Sequence, residues 1–306
     1  MAKLRQRRKP RRKIRWLRLL FVILLPLAVL VGLAAWWGYD RLPRAEPVVV
    51  VDKFQNIPVA QNQTNILLVG VSDSNSGMVN QAEAIVVAGL NFDDNSCRLL
   101  AIPRDTAISS KEKISQAYTL GGISLLKESA EHFLQIPLHH YLAMDAATFA
   151  KIIDLLGGVD LYVENNMRYQ DPYANLEIDL KQGYQSLNGK EAAGYVRYCG
   201  DELGEVGRMQ RQQKFLKTFF AHKLALLKLE NLANLPQLKE IVKTGVQTNV
   251  TPTEALKLAN TLRSLEESSF KAEMLPGRLV VAGNTVYWES DREEAKRLIA
   301  AFFYQE

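Results

Sequence analysis

Residues 19–39 (LLFVILLPLAVLVGLAAWWGY) run for 21 positions without a charge, directly behind a segment, 1–18, that carries ten lysines and arginines and no acid. At 1.5 Å rise per residue a helix over this run is about 30 Å long, the thickness of a bilayer's hydrocarbon core. The run is therefore expected to be a transmembrane helix. The basic flank marks the end that stays in the cytoplasm, and Trp16, Trp36, Trp37 and Tyr39 fall where interfacial aromatics lie. Pro26 and Gly32 are tolerated inside a span. Gly32 and Ala34 would make a small-residue cleavage site, but the apolar run exceeds the about 7 to 15 residues of a secretory signal's core. The expectation is a retained anchor, crossing once, with everything beyond it outside the cytoplasmic membrane.

This split explains the charge. The whole chain holds 38 basic and 33 acidic residues, a net of +5, which taken alone suggests a nucleic-acid partner. Ten of those basic residues lie in 1–18, leaving 28 against 33 in the body. The basic tail reads as a topology signal, and no nucleic-acid partner is expected. With 47% hydrophobic residues the body can bury a core. Cys97 and Cys199 are the only cysteines, so an oxidising address permits one bridge but no cysteine-based zinc site.

After a tether over 40–60, short apolar runs alternate with helical patterns. Asn65–Gly70 (NILLVG), Ala84–Gly89 (AIVVAG) and Cys97–Ile102 (CRLLAI) are runs of the kind buried on both faces of a sheet. Helices are expected over about 121–135, 146–156, after a turn over Gln182–Gly189 and through Tyr195, from Gly207 to about Leu229, and from Arg292. Further strands are expected at Tyr141–Met144, Val159–Val163, Leu176–Leu180, Phe270–Met274, Leu279–Ala282 and Val286–Glu289. Thr251 to Glu254 (TPTE) is a capping box with proline at the first helical position. Alternating sheet and helix give an α/β fold with helices on both faces. No composition break divides the body over 61–306.

Three stretches place charges at strand ends and helix starts, where open α/β sheets bind ligands. Pro103 ends the third apolar run and leaves Arg104 and Asp105 at its edge, suited to an anion and a cation respectively. Asp73 follows the first strand and Glu83 opens the second; two carboxylates at one edge can hold a hard cation through oxygen, although an aspartate there is equally a turn former. Arg197 precedes Gly207–Gln213 (GRMQRQQ), in which Arg208, Arg211 and Gln212 share a helical face beside a helix N-terminus.

These motifs, with Ala101–Thr106 (AIPRDT), Lys113–Tyr118 (KISQAY) followed by Gly121 and Gly122, Leu155–Asp160 (LLGGVD) and Gln185–Gly189 (QSLNG), occur in the order and spacing of the LytR-CpsA-Psr family. The resemblance covers about residues 60–225, with a less specific part over 226–306 in which Leu275–Gly277 and Val286–Trp288 look like the family's C-terminal strands. It implies a three-layer α/β/α sandwich around a mixed central sheet. It also implies a transferase that moves a glycopolymer from an undecaprenyl (polyprenyl) pyrophosphate carrier to peptidoglycan or a related wall acceptor, leaving a phosphodiester link. By resemblance, Asp73, Glu83 and Asp105 lie at Mg²⁺ or Mn²⁺; Arg104 and Asp105 are catalytic; and Arg104, Lys113, Arg197, Arg208, Arg211 and Gln212 surround the pyrophosphate. The isoprenoid tail needs an apolar trough, for which Met209, Phe215, Phe219 and Phe220 are candidates, core packing being the alternative. The sequence departs from the family at two points. Gln81-Ala82-Glu83 stands where members carry Arg-Ser/Thr-Asp, and Cys199 stands where members carry a second arginine after the one matched by Arg197. These departures motivate the alternative of a non-catalytic, polyprenyl-phosphate-binding or regulatory protein of the same fold.

Overall fold

The computed structural model describes residues 62–72, 81–109, 112–171, 176–223 and 235–304. The basic tail, the run 19–39, the tether and Asp73 lie outside them. No described helix is long and apolar enough to cross a membrane.

The core of the fold is a six-stranded mixed sheet in the order β10-β3-β2-β1-β4-β9. Its strands are β1 (Gln63–Val71), β2 (Ala82–Asn91), β3 (Ser96–Ile102), β4 (His140–Asp145), β9 (Val246–Thr248) and β10 (Phe270–Met274). β1, β2 and β3 pair antiparallel as a meander, while β4 joins β1 and β10 joins β3 in parallel. The apolar runs sit in the middle of this sheet because both of their faces are covered. On β1, Leu67, Val69 and Val71 point into one cluster and Ile66 and Leu68 into the other. Leu67, Leu99 and Leu100 are fully buried. Burial of this kind contributes roughly 1.5–3 kcal/mol per side chain.

One face is covered by α1 (Ile114–Leu134) and α7 (Arg292–Phe303), through residues such as Leu126, Ala130, Ile299 and Phe303. The opposite face is covered by α4 (Gly204–Lys223) and α6 (Pro252–Ser264), through Leu216, Phe220, Leu258 and Leu262. The α/β expectation with helices on both faces therefore holds. The proline-started α6 is capped as expected, Thr251 accepting from the Glu254 amide.

A second apolar cluster lies beside the sheet. It is built by α2 (Ala146–Leu155), α3 (Gly189–Arg197) and two two-stranded sheets, β5 (Val159–Val163) with β8 (Gly183–Leu187) and β6 (Met167–Asp171) with β7 (Leu176–Leu180). Its glycine motifs have local causes. Gly158 has φ +77°, and a Cβ there would lie 2.7 Å from the Leu187 carbonyl oxygen. Gly189 opens α3 so close to α2 that a Cβ would lie 2.1 Å from the Ala150 oxygen. The helix α5 (Leu235–Gly245) and the hairpin β11 (Gly277–Ala282) with β12 (Thr285–Ser290) complete the described elements.

α4 links the two clusters. Phe215 is buried in the second cluster and stacks with Phe219 at 6.0 Å, while Phe220 stacks with Phe270 of β10 at 6.2 Å. Met209 is buried as well. Of the four side chains considered for a lipid trough, Met209 and Phe215 are thus buried, while Phe219 and Phe220 are half-buried against the two cores.

Candidate functional site

The sheet end at which β1 and β3 finish and β2 begins gathers charged groups from four segments. Pro103 has no N–H to continue the ladder. The chain turns there, Thr106 donating to the Pro103 oxygen from its amide (2.9 Å) and its hydroxyl (2.6 Å). Arg104 and Asp105 sit in this turn, half-buried. Two neighbours hold it. The Ile114 and Ser115 amides of α1 donate to the Thr106 and Arg104 oxygens at 2.9 and 3.2 Å, using donors a helix start leaves free. The Trp288 amide of β12 donates to the Asp105 oxygen at 2.8 Å, and Ala107 donates to the Trp288 oxygen at 3.0 Å.

Around the turn, every charged candidate has a partner of opposite sign. Lys113 Nζ lies 2.7 Å from Asp105 Oδ1 and 5.5 Å from the Tyr287 ring centroid. Arg197, in the last turn of α3, places Nε 3.9 Å from Glu83 Oε2. Arg208, 8% exposed, donates through Nη2 to the Glu83 carbonyl at 3.3 Å. The same Nη2 lies 2.5 Å from Glu205 Oε2, and Arg104 Nη2 lies 3.2 Å from Glu205 Oε1. Two guanidiniums from segments 104 residues apart in sequence numbering terms, at Arg104 and Arg208, thus share one carboxylate. Glu205 was not among the sequence candidates. Its i, i+3 spacing to Arg208 was the available signal, but that spacing says nothing of Arg104.

Arg211 and Gln212 face elsewhere. Arg211 is 5% exposed, pairs with Asp201 at 2.5 Å, donates to the Tyr198 oxygen at 2.6 Å and lies 5.2 Å from the Tyr198 ring centroid. Gln212 donates to the Val196 oxygen at 3.1 Å. Both fasten α4 to α3 and to the loop that connects them. The structure therefore brings together Glu83, Arg104, Asp105, Lys113, Arg197 and Arg208, and turns Arg211 and Gln212 into its framework.

Burial lowers the pKa of Arg208, and the Glu205 carboxylate opposes that shift; a guanidinium remains charged in either case. Its Nε is buried with no hydrogen-bond partner among the described residues. Cys199 is exposed as a residue, and its thiol is shifted upward by burial of the sulfur and then by Glu205, against the lowering effect of Arg208 and Arg104. Its Sγ donates to Glu205 Oε1 at 3.7 Å. The position is thus neutral at physiological pH. Cys97 is buried, its thiol pushed up to about 12 by desolvation, and both cysteines are free, so the bridge that the sequence permits is not formed.

Among the described residues no three metal-ligating side chains form a group. Glu83 and Asp105 are nonetheless hard oxygen donors with side chains 28% and 23% exposed. Their chemistry fits a divalent cation such as Mg²⁺. Gln81, at the other departure, donates from its backbone N–H to Ser72 Oγ at 2.9 Å and brings no guanidinium.

Comparison with known proteins places this arrangement. The chain is 28% identical over 303 residues to the Bacillus subtilis polyisoprenyl-teichoic acid–peptidoglycan teichoic acid transferase TagV, covering 92% of this chain and 76% of that protein. It is 26% identical over 290 residues to the Enterococcus faecalis transferase TagU, covering 90% and 92%. The crystal structure of B. subtilis TagV superposes with a TM-score of 0.66 at 26% identity, covering 79% of this chain and 98% of that one. The model of the LytR_cpsA_psr family matches residues 40–302, a span that takes in the whole sheet and every charged group at its end, and the chain belongs to that family.

Proposed function

We propose that this protein is a membrane-anchored transferase that moves a glycopolymer from a polyprenyl diphosphate carrier to peptidoglycan or a related cell-wall acceptor, outside the cytoplasmic membrane. The observation that carries the reading is the pair Arg104 and Arg208, drawn from different elements to one point at the sheet end. Paired guanidiniums present fork-like donors that match phosphate oxygens, and they neutralise charge best where water is scarce. The names of the two transferase relatives support the same chemistry, and residues 19–39 supply the expected anchor.

In this reading the acceptor hydroxyl attacks the phosphorus that carries the glycan. A new P–O bond forms, the bond to the bridging oxygen breaks, polyprenyl monophosphate leaves, and the hydroxyl proton passes to a carboxylate at the same edge. Arg104 and Arg208 stabilise the negative oxygens as the leaving group departs. Arg197 and Lys113 add positive charge, so that four cations face three carboxylates. Mg²⁺ or Mn²⁺ belongs to the proposal: Glu83 and Asp105, with Asp73, would hold it, and it would supply further neutralisation of the phosphate oxygens. The lipid tail requires apolar surface near the site, and Leu203, two residues before Glu205, is 58% exposed.

The test is transfer of a labelled glycan from its polyprenyl diphosphate to isolated peptidoglycan by the full chain. Arg104→Ala should reduce the rate by about 10²–10³-fold, the effect of deleting one preorganised charge donor. A variant as fast as the parent would remove Arg104 from the reaction. A second reading rests on Gln81 and the neutral Cys199, which leave the clamp two arginines poorer than in most of the family: the protein binds the carrier without turning it over. Carrier that co-purifies with the protein, with no transfer in the assay, would favour it.

A further inference from the structure

The carboxylate of Glu205 occupies the position at which an anionic ligand of the proposed site would sit. Each of its oxygens faces a different guanidinium, Oε1 toward Arg104 at 3.2 Å and Oε2 toward Arg208 at 2.5 Å, and Oε1 also accepts from Cys199. A phosphate bridging the same two arginines would make the same contacts. Glu205 lies in the first turn of α4, where a carboxylate also interacts favourably with the helix dipole, but that effect calls for no contact with Arg104. A second observation points to a ligand. Arg208 is more than nine-tenths buried, and its Nε finds no hydrogen-bond partner among the described residues. Buried donors are normally satisfied, and Arg208 keeps one that neither Glu205 nor the Glu83 carbonyl engages.

We propose that Glu205 is an internal counter-anion that closes the Arg104–Arg208 clamp, so that a phosphate ligand binds by exchange with it. This rests on the proposed function, since it names what guards that site. The apparent affinity of any anion is then reduced by the fraction of molecules in which Glu205 has released the two guanidiniums. Small anions such as free phosphate gain too little from the clamp alone to displace it. A lipid-linked diphosphate brings a second phosphate and an apolar tail, and these contacts hold the clamp open. Glu205 thereby sets a threshold that separates the carrier from the free anions around it.

The experiment measures binding of inorganic phosphate and inorganic pyrophosphate to the full chain by calorimetry, with thermal melts to confirm folding. Glu205→Gln removes the internal anion at nearly constant volume, and should tighten both ligands at least tenfold. Glu202→Gln removes the same charge from an exposed neighbour and should change either affinity less than twofold. Glu205→Asp keeps the charge on a side chain one methylene shorter, loses at least one guanidinium contact, and should bind with intermediate affinity. It keeps the proposal open to refutation if the glutamine variant does not fold. A folded Glu205→Gln protein with unchanged or weaker pyrophosphate binding overturns the proposal, because Glu205 would then hold the arginines in place for the ligand. If neither parent nor variant binds pyrophosphate while both melt cooperatively, the anion site itself is refuted, and the proposed function with it.

Discussion

Replacing Arg211 by methionine should destabilise the protein by about 3–5 kcal/mol, the effect of breaking a buried ion pair from one side. The size follows from what the change strands. Arg211 is 6% exposed and Asp201 13% exposed as side chains, so neither group can turn to solvent. Asp201 would keep the Gly204 amide at 3.1 Å but lose its counter-charge, and the Tyr198 carbonyl would lose a buried donor. A change of that size lowers Tm by roughly 6–20 °C in a body of this length, at about 2–4 °C per kcal/mol. Urea melts give the free energy, and the double variant Arg211→Met with Asp201→Asn isolates the pair. The double variant should recover part of the loss, since the isolated carboxylate is gone. A loss below about 1 kcal/mol for Arg211→Met would be the behaviour of an exposed pair. It would refute the assignment of Arg211 to the framework and return it to the ligand groups.

Other outcomes follow from the same geometry. Burial raises the Glu164 carboxyl pKa, but hydrogen bonds from Lys214, its own backbone N–H and Tyr195 together outweigh it and hold the group below the usual value. A depressed folded-state pKa contributes stability above the ordinary value of 4.5 that is lost as pH falls through the lower folded value. Glu164→Gln should therefore flatten the acid limb of a plot of stability against pH, and an unchanged limb would contradict the assignment. In native protein a thiol reagent should find Cys199 alone, reacting more slowly than a free cysteine at pH 7 because its pKa is raised; unfolding should expose two thiols, and a native count of two would contradict the burial of Cys97. Gly189→Ala forces a Cβ to within 2.1 Å of the Ala150 oxygen. It should destabilise by about 1–3 kcal/mol in the same urea melts, as overpacking does, and a neutral effect would mean that α2 and α3 separate easily.

The strands of the sheet were legible because their side chains are buried on both faces, which leaves an uninterrupted apolar run such as LLV in β1 and VV in β2. Val159–Val163 and Phe270–Met274 match the expected bounds residue for residue. β6 and β9 were not read: β6 carries exposed Arg168, Tyr169 and Gln170, and β9 has three residues at the sheet's edge, so neither has an apolar pattern to detect, and β8, in the stretch expected as a turn, is a strand paired with β5. The helix expected from about 121 is the second segment of Ile114–Leu134, which is broken by non-helical backbone at Gly121 and Gly122; the shorter first segment before the break was not read.

In the site, Arg104 and Asp105 were legible from proline stopping a buried strand. Helical spacing also placed Arg208, Arg211 and Gln212 on one face, but the α3–α4 loop lies over part of that face and engages Arg211 through Asp201 and Tyr198. Spacing alone does not disclose that cover. Nor does it disclose Glu205, whose meaning depends on a contact with Arg104 across 101 positions of sequence. The hairpin that pins the Asp105 turn through Trp288 is likewise a long-range pairing.

A crystal structure of the protein with a bound polyprenyl diphosphate should show phosphate oxygens within hydrogen-bond distance of both Arg104 and Arg208, with the Glu205 carboxylate displaced from between them. Diphosphate bound at another surface, with Glu205 still bridging the two guanidiniums, would contradict that expectation.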